Sequence, residues 1–167
     1  MSSFRHRHLY TFHNFWDYNK DGILTWDDFN IIAEDRIVEF DEWLKFFTNL
    51  GKSTKNAQEL PDFLQKYLHL LFLIMDSNKD GLVCAKDYKK YLKTHNMDIT
   101  RADECFNQML NEEDIANGNA MSSDSFKANV YDYWVSQEQD CKGRYICGPY
   151  DSASAEELER KNKKKPL

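Results

Sequence analysis

The 167-residue sequence has no hydrophobic run long enough to cross a membrane. Its longest uncharged apolar stretch, residues 67–75, holds nine residues, and a spanning helix needs about twenty. A basic excess is also missing. Lys and Arg number 22 against 28 Asp and Glu, and the resulting net charge of -6 repels a phosphate backbone, so no nucleic-acid partner is expected. The opening MSSFRHRH carries no apolar signal core and places Ser rather than Gly at position 2; the expectation is a cytoplasmic protein. Cys84, Cys105, Cys141 and Cys147 show no CxxC spacing and are expected as reduced thiols, since a chain of this length can bury a core without disulfides. No HExxH, GxSxG or nucleophile–base pairing occurs, so no enzymatic activity is expected.

What the chain does have is a repeat. Asp17-Tyr-Asn-Lys-Asp-Gly22 and Asp76-Ser-Asn-Lys-Asp-Gly81 open two twelve-residue segments, 17–28 and 76–87, with one pattern. A hard divalent cation takes six to eight oxygens, and side chains at loop positions 1, 3 and 5 converge on it. Those are Asp17, Asn19 and Asp21 in one copy and Asp76, Asn78 and Asp80 in the other. Gly22 and Gly81 permit the sharp bend at position 6, and position 7 offers a backbone carbonyl, from Ile23 and Leu82. Leu24 and Val83 are the apolar residues of position 8. This is the EF-hand calcium loop, and the expected cofactor is Ca2+.

Helical spacing around the loops supports that reading. Leu68, Leu71, Phe72 and Met75 precede the second copy, and Tyr88, Tyr91 and Leu92 follow it. Leu9, Phe12 and Trp16 form a shorter stripe before the first copy. Position 12 departs from the motif, because Asp28 and Asp87 stand where a Glu usually reaches the ion with both oxygens. One methylene less favours a single-oxygen contact, so Mg2+ is expected to share the same sites. At position 9, Thr25 can offer a hydroxyl, whereas Cys84 offers a soft sulfur and leaves that vertex to water.

EF-hands pair through the short strands at position 8, whose backbone groups need partners. With Met121 at position 8, residues 114–125 form a fourth loop, preceded by Phe106, Met109 and Leu110 and followed by Phe126 and Val130. Ala116, Gly118 and Ser125 leave Asp114 as its one carboxylate among positions 1, 3, 5 and 12, so it reads as a metal-free scaffold hand paired with 76–87. For the first loop, Val38 followed by Glu42 and Trp43 resembles the end of a second hand that has lost its front. Phe29, Ile32, Ala33, Ile37, Phe40, Leu44 and Phe47 share one helical stripe, which predicts a single helix over 25–50, stopped by Gly51. The first strand would then lack its mate and bind metal weakly or pair with a second copy in a homodimer.

The chain resembles the calexcitin family, itself similar to invertebrate sarcoplasmic calcium-binding proteins. The likeness covers residues 12–148 and rests on Phe12-His-Asn-Phe-Trp-Asp-Tyr-Asn-Lys-Asp-Gly, Trp26-Asp-Asp-Phe29, Glu42-Trp-Leu-Lys45, Tyr131-Asp-Tyr-Trp-Val-Ser136 and Cys147-Gly148. It implies a four-hand helical protein whose C-terminal segment folds back on the lobes, with calcium at some hands and others silent. It also carries an association with GTP, for which Gly51-Lys-Ser-Thr54 is the nearest segment. The earlier glycine of a phosphate loop would fall at Phe46, and a helix precedes where a strand is required, so nucleotide binding is not expected.

The fold class is therefore all-α, an EF-hand protein with short β-pairing between loops and an incomplete amino-terminal lobe. Expected boundaries are 1–55 for that lobe, 56–150 for the carboxy-terminal pair with its fold-back segment, and 151–167 for a disordered charged tail. His6, His8 and His13 do not share a helical face and read as exposed terminal histidines. The function that follows is calcium buffering or signalling. The alternatives are a sensor exposing an apolar groove to a protein target and, less well supported, a small-ligand cavity protein.

Overall fold

The structure is a computed structural model that describes residues 2–16, 23–24, 38–152 and 155–162. Helix α1 (Ser3–Thr11) starts at Ser2, whose Oγ accepts the Arg5 N–H at 3.2 Å, and continues into a wider π-helical turn, Phe12–Trp16. Strand β1 (Ile23–Leu24) is followed by β2 (Val38–Glu39) and α2 (Phe40–Ser53). A 3-10 turn, Ala57–Glu59, is capped by Asn56 Oδ1, which accepts the N–H groups of Gln58 and Glu59. Then come α3 (Asp62–Met75), β3 (Val83–Cys84), α4 (Ala85–Thr94), α5 (Ala102–Met109), α6 (Glu112–Ala116), β4 (Ala120–Met121) and α7 (Ser123–Val135). Two 3-10 turns, Lys142–Tyr145 and Tyr150–Ser152, lead to α8 (Ala155–Asn162).

The strands form two antiparallel ribbons. In the carboxy-terminal one, Val83 faces Met121 and Cys84 faces Ala120, so the two position-8 residues meet as expected. In the other, Leu24 faces Val38 and Ile23 faces Glu39. That pairing overturns the single helix expected over 25–50. A helix through Val38 would leave the β1 backbone groups unpaired, whereas a strand at Val38–Glu39 satisfies both segments. From Phe40 onward the stripe is helical, with Phe40, Phe47 and Leu50 buried on α2; Phe29, Ile32, Ala33 and Ile37 lie outside the described residues. The mate that the first loop was expected to lack is within the chain, which removes the reason for a homodimer.

Gly51 does not stop α2, which runs on to Ser53. Its missing side chain serves close packing instead: a Cβ there would lie 2.9 Å from Val135 Cβ and 3.1 Å from the Val135 carbonyl oxygen of α7. Thr54, at the end of the segment weighed for nucleotide, donates its hydroxyl to the Leu50 carbonyl at 2.7 Å and is buried against Tyr131.

Buried residues form one cluster running from Phe4 to Leu158. Of the expected stripes, Leu9, Phe12, Leu68, Phe72, Met75, Tyr88, Leu92, Phe106, Met109, Leu110, Phe126 and Val130 all lie in it. Helix α1 supplies an unexpected polar core. Arg7 is wholly buried and donates to the carbonyls of Tyr133 (3.2 Å) and Ser136 (2.7 Å). His8 Nε2 donates to the Trp134 carbonyl at 2.8 Å. Tyr133 and Trp134 are in the last turn of α7, whose carbonyls no residue of that helix can satisfy, and Ser136 directly follows it; a cation there also suits the helix dipole.

The histidines are thus not exposed. His8 and His13 are buried and His6 is half-buried, because α1 is packed on all sides rather than fraying. Within 151–167, α8 is helical, Leu158 is 3 % exposed, and Arg5 of α1 bonds Glu159 at 3.2 Å. Leu158 is an apolar anchor too isolated to show as periodicity.

Candidate metal centre

The third loop, 76–87, is wound around the carboxylate that ends α3. Asp76 is 5 % exposed; its Oδ2 accepts the Gly81 N–H at 2.9 Å and its Oδ1 the Asp80 N–H at 3.3 Å. The bend this needs falls on Lys79, at φ 60°, and Gly81, at φ 83°. Glycine carries the wider angle at no steric cost. Asn78 Nδ2 donates to Asp80 Oδ2 at 2.7 Å, and Asp80 Oδ1 accepts the Leu82 N–H at 2.9 Å. The structure thus brings Asp76, Asn78 and Asp80 onto one turn and leads Leu82 into β3.

Asp87, at position 12, closes the loop. Its Oδ2 accepts the Cys84 N–H at 3.1 Å and the Cys84 thiol at 3.0 Å, and its Oδ1 accepts the Ser77 hydroxyl at 2.6 Å. The first of these bonds makes Asp87 the capping-box residue of α4. Burial raises its pKa, but the hydrogen bonds from Cys84 and Ser77 outweigh that and hold the carboxylate below its ordinary value. It stays charged. The donors of this loop are hard oxygens, a set that fits a hard divalent cation. Among the described residues, no three Asp, Glu, His or Cys side chains already stand close enough together to hold an ion. The cation would have to be gathered by Asp76, Asn78, Asp80, the Leu82 carbonyl and Asp87 together.

For the first loop, Asp17, Asn19, Asp21, Thr25 and Asp28 lie outside the described residues. The Ile23 backbone sits in β1.

In the fourth loop, protein donors engage both oxygens of the position-1 carboxylate. Helix α6 runs through its first three positions, and Asp114 is 1 % exposed. Asp114 Oδ2 accepts the Ser125 hydroxyl at 2.5 Å and the Asn111 N–H at 3.0 Å, and Oδ1 accepts the Ser122 N–H at 3.4 Å. Position 1 is thereby joined to position 12 by a serine. Sequence reasoning recognised the poor ligands here but missed this bond and the Ser77–Asp87 bond. The available signal was a serine at position 12 of one loop and at position 2 of the other.

The segment 141–150 straps both exiting helices of the carboxy-terminal pair. Tyr88 of α4 donates to the Tyr145 carbonyl at 2.5 Å. A Cβ on Gly148 would meet Leu92 Cδ2 at 3.3 Å, and one on Gly143 would lie 1.8 Å from the Asn129 carbonyl oxygen of α7. Beneath the strap, a cavity of about 40 Å3 is lined by Thr11, Tyr67, Tyr91, Trp134, Cys147 and other apolar groups. Burial pushes the Cys147 thiol up to about 12.

Set beside known proteins, these features have counterparts. The chain is 23 % identical over 135 residues to the sarcoplasmic calcium-binding proteins I, III and IV of Branchiostoma lanceolatum, covering 59 % of this chain and 73 % of that one. A solved sarcoplasmic calcium-binding protein from amphioxus superposes with a TM-score of 0.69 at 18 % identity, over 89 % of this chain and 98 % of the other. The coelenterazine-binding protein of Renilla muelleri, in its Ca-loaded apo form, superposes with a TM-score of 0.56 at 17 % identity, over 89 % and 99 %. No family model matches the chain. The fold is the all-α EF-hand fold of the sarcoplasmic calcium-binding proteins, to which the chain is similar at low sequence identity.

Proposed function

We propose that this is a cytosolic calcium-binding protein of the calexcitin type that buffers calcium, with Mg2+ competing for the same loops. The observation that carries the reading is the third loop, wound around a buried Asp76 with Asn78 and Asp80 on the same turn and Asp87 joined to it through Ser77 from the start of α4. The low-identity relatives bear calcium binding in their names, in keeping with it. The first loop is a second site, through Asp17, Asn19, Asp21, the Ile23 carbonyl, Thr25 and Asp28, and β2 gives it the ribbon partner a competent hand needs. The organisation we favour is an amino-terminal lobe over 1–55 and a carboxy-terminal pair over 56–150, sharing one core.

Buffering is favoured over sensing by the strap. Sensor hands swing their helices apart to open a groove, and here both exiting helices are tied to 141–150 by Tyr88–Tyr145 and by Gly143 against Asn129. One observation favours the sensor reading: Phe63, Leu70, Leu73 and Ile74 are exposed on α3, and Ile74 borders a groove with Lys90, Thr94 and His95. A cavity protein is not supported, since the cavities found among the described residues, of about 40 to about 130 Å3, fall below the roughly 300 Å3 of a small-ligand site.

Calorimetric titration of Ca2+ into the wild type, Asp17→Ala and Asp76→Ala tests the metal reading. Loss of one site in each variant supports it, and an unchanged isotherm in Asp76→Ala overturns it. Apolar-dye fluorescence separates the two roles: a flat signal on adding Ca2+ identifies a buffer, and a large rise identifies a sensor.

A further inference from the structure

Building on the cation reading of the third loop, we propose that Ser77 sets the balance between Ca2+ and Mg2+ there by holding the Asp87 carboxylate in a one-oxygen pose. Ser77 stands at position 2, which supplies no ligand in the EF-hand pattern, yet its hydroxyl donates to Asp87 Oδ1 at 2.6 Å. The other oxygen accepts the Cys84 N–H at 3.1 Å and the Cys84 thiol at 3.0 Å. The carboxylate is pinned on both sides.

A glutamate at this position would reach forward and present both oxygens. Aspartate is shorter, and to offer its second oxygen it must turn and give up one of these bonds. The Cys84 N–H bond caps α4, so losing it exposes an orphan donor at the helix start. The Ser77 bond is the one that can break without that cost. Ca2+ gains from a second carboxylate oxygen because it takes six to eight ligands, whereas octahedral Mg2+ does not. Holding Oδ1 therefore disfavours Ca2+ selectively. The fourth loop uses the same bond in reverse, Ser125 at position 12 donating to Asp114 at position 1, so in both loops a serine hydroxyl joins the start to the end.

The test is calorimetric titration of Ca2+ and of Mg2+ into the full chain carrying Asp17→Ala, which isolates the third loop. Ser77→Ala, Ser77→Thr and Asp76→Ala are compared in that background. Ser77 is exposed, so its replacement leaves the core intact. Ser77→Ala is expected to raise the ratio of Ca2+ to Mg2+ affinity by about threefold or more, through tighter Ca2+ with Mg2+ unmoved, and Ser77→Thr to restore the parent ratio. An unchanged ratio, or equal weakening for both ions as a purely structural role would give, overturns the proposal. If Asp76→Ala leaves the parent isotherms unaltered, the cation reading of this loop falls, and the role of Ser77 with it.

Discussion

The indole N–H of Trp43, on α2, donates to Nδ1 of His8, on α1, at 3.2 Å. Because Nδ1 accepts, the ring proton sits on Nε2 and is donated to the Trp134 carbonyl of α7. One neutral imidazole thus ties three helices together. Burial is the main cause of its lowered pKa, about 3, with the Arg7 charge acting in the same direction and the Trp134 bond against it.

This ring makes stability depend on pH. An unfolded histidine takes its proton near pH 6.5 while the folded one refuses it until about 3, so between those values the unfolded state binds more protons. The contribution is complete above pH 6.5 and is lost as pH falls toward 3, with an upper limit of about 5 kcal/mol. Urea titrations of wild type and His8→Gln at pH 7 and pH 4.5 check this: the wild type should lose more stability between the two than the variant does.

Gly143→Ala should be the more damaging of two glycine substitutions. The added methyl would lie 1.8 Å from a backbone oxygen of α7, whereas in Gly51→Ala it meets a side-chain carbon at 2.9 Å. For Gly51→Ala, overpacking of about 1–3 kcal/mol outweighs a helix-propensity gain of about 1 kcal/mol. Thermal midpoints should rank wild type, Gly51→Ala, then Gly143→Ala.

Ser125→Ala removes a donor from a carboxylate that is 1 % exposed. The expected loss is about 1–3 kcal/mol, read by urea denaturation without divalent ions. The number of Ca2+ sites should not change, because protein donors engage both oxygens of Asp114.

Truncation after Ser152 deletes α8 and uncovers α1. Burial of Leu158 accounts for about 1.5–3 kcal/mol. The Arg5–Glu159 pair, about a quarter exposed on each side, adds at most about 1 kcal/mol. Denaturation of the truncated chain and of Leu158→Ala should give similar losses; a loss confined to the truncation would assign the effect to charge.

Much of the fold could be read from residue spacing, for reasons local to each element. Asp76, Asn78, Asp80 and Gly81 answer to one loop geometry, and the stripes of α3 and α4 bury against neighbours next to them in sequence. Val38 was legible as the end of a hand, but the helical spacing of Phe29 to Phe47 favoured one continuous helix over the strand that Val38–Glu39 forms. Gly51 looks like a helix stop until α7 is brought against it. His8 read as a surface group, and Arg7 gave no signal, because their acceptors lie 126 residues or more away.

That last separation governs the order of assembly. A nascent chain that has not yet delivered residues 133–136 offers the guanidinium and imidazole of its first helix no carbonyls to bind, and water is their better host. Helix α1 can therefore make these bonds only once residues 133–136 have emerged, so its docking waits on long-range closure rather than on local coiling.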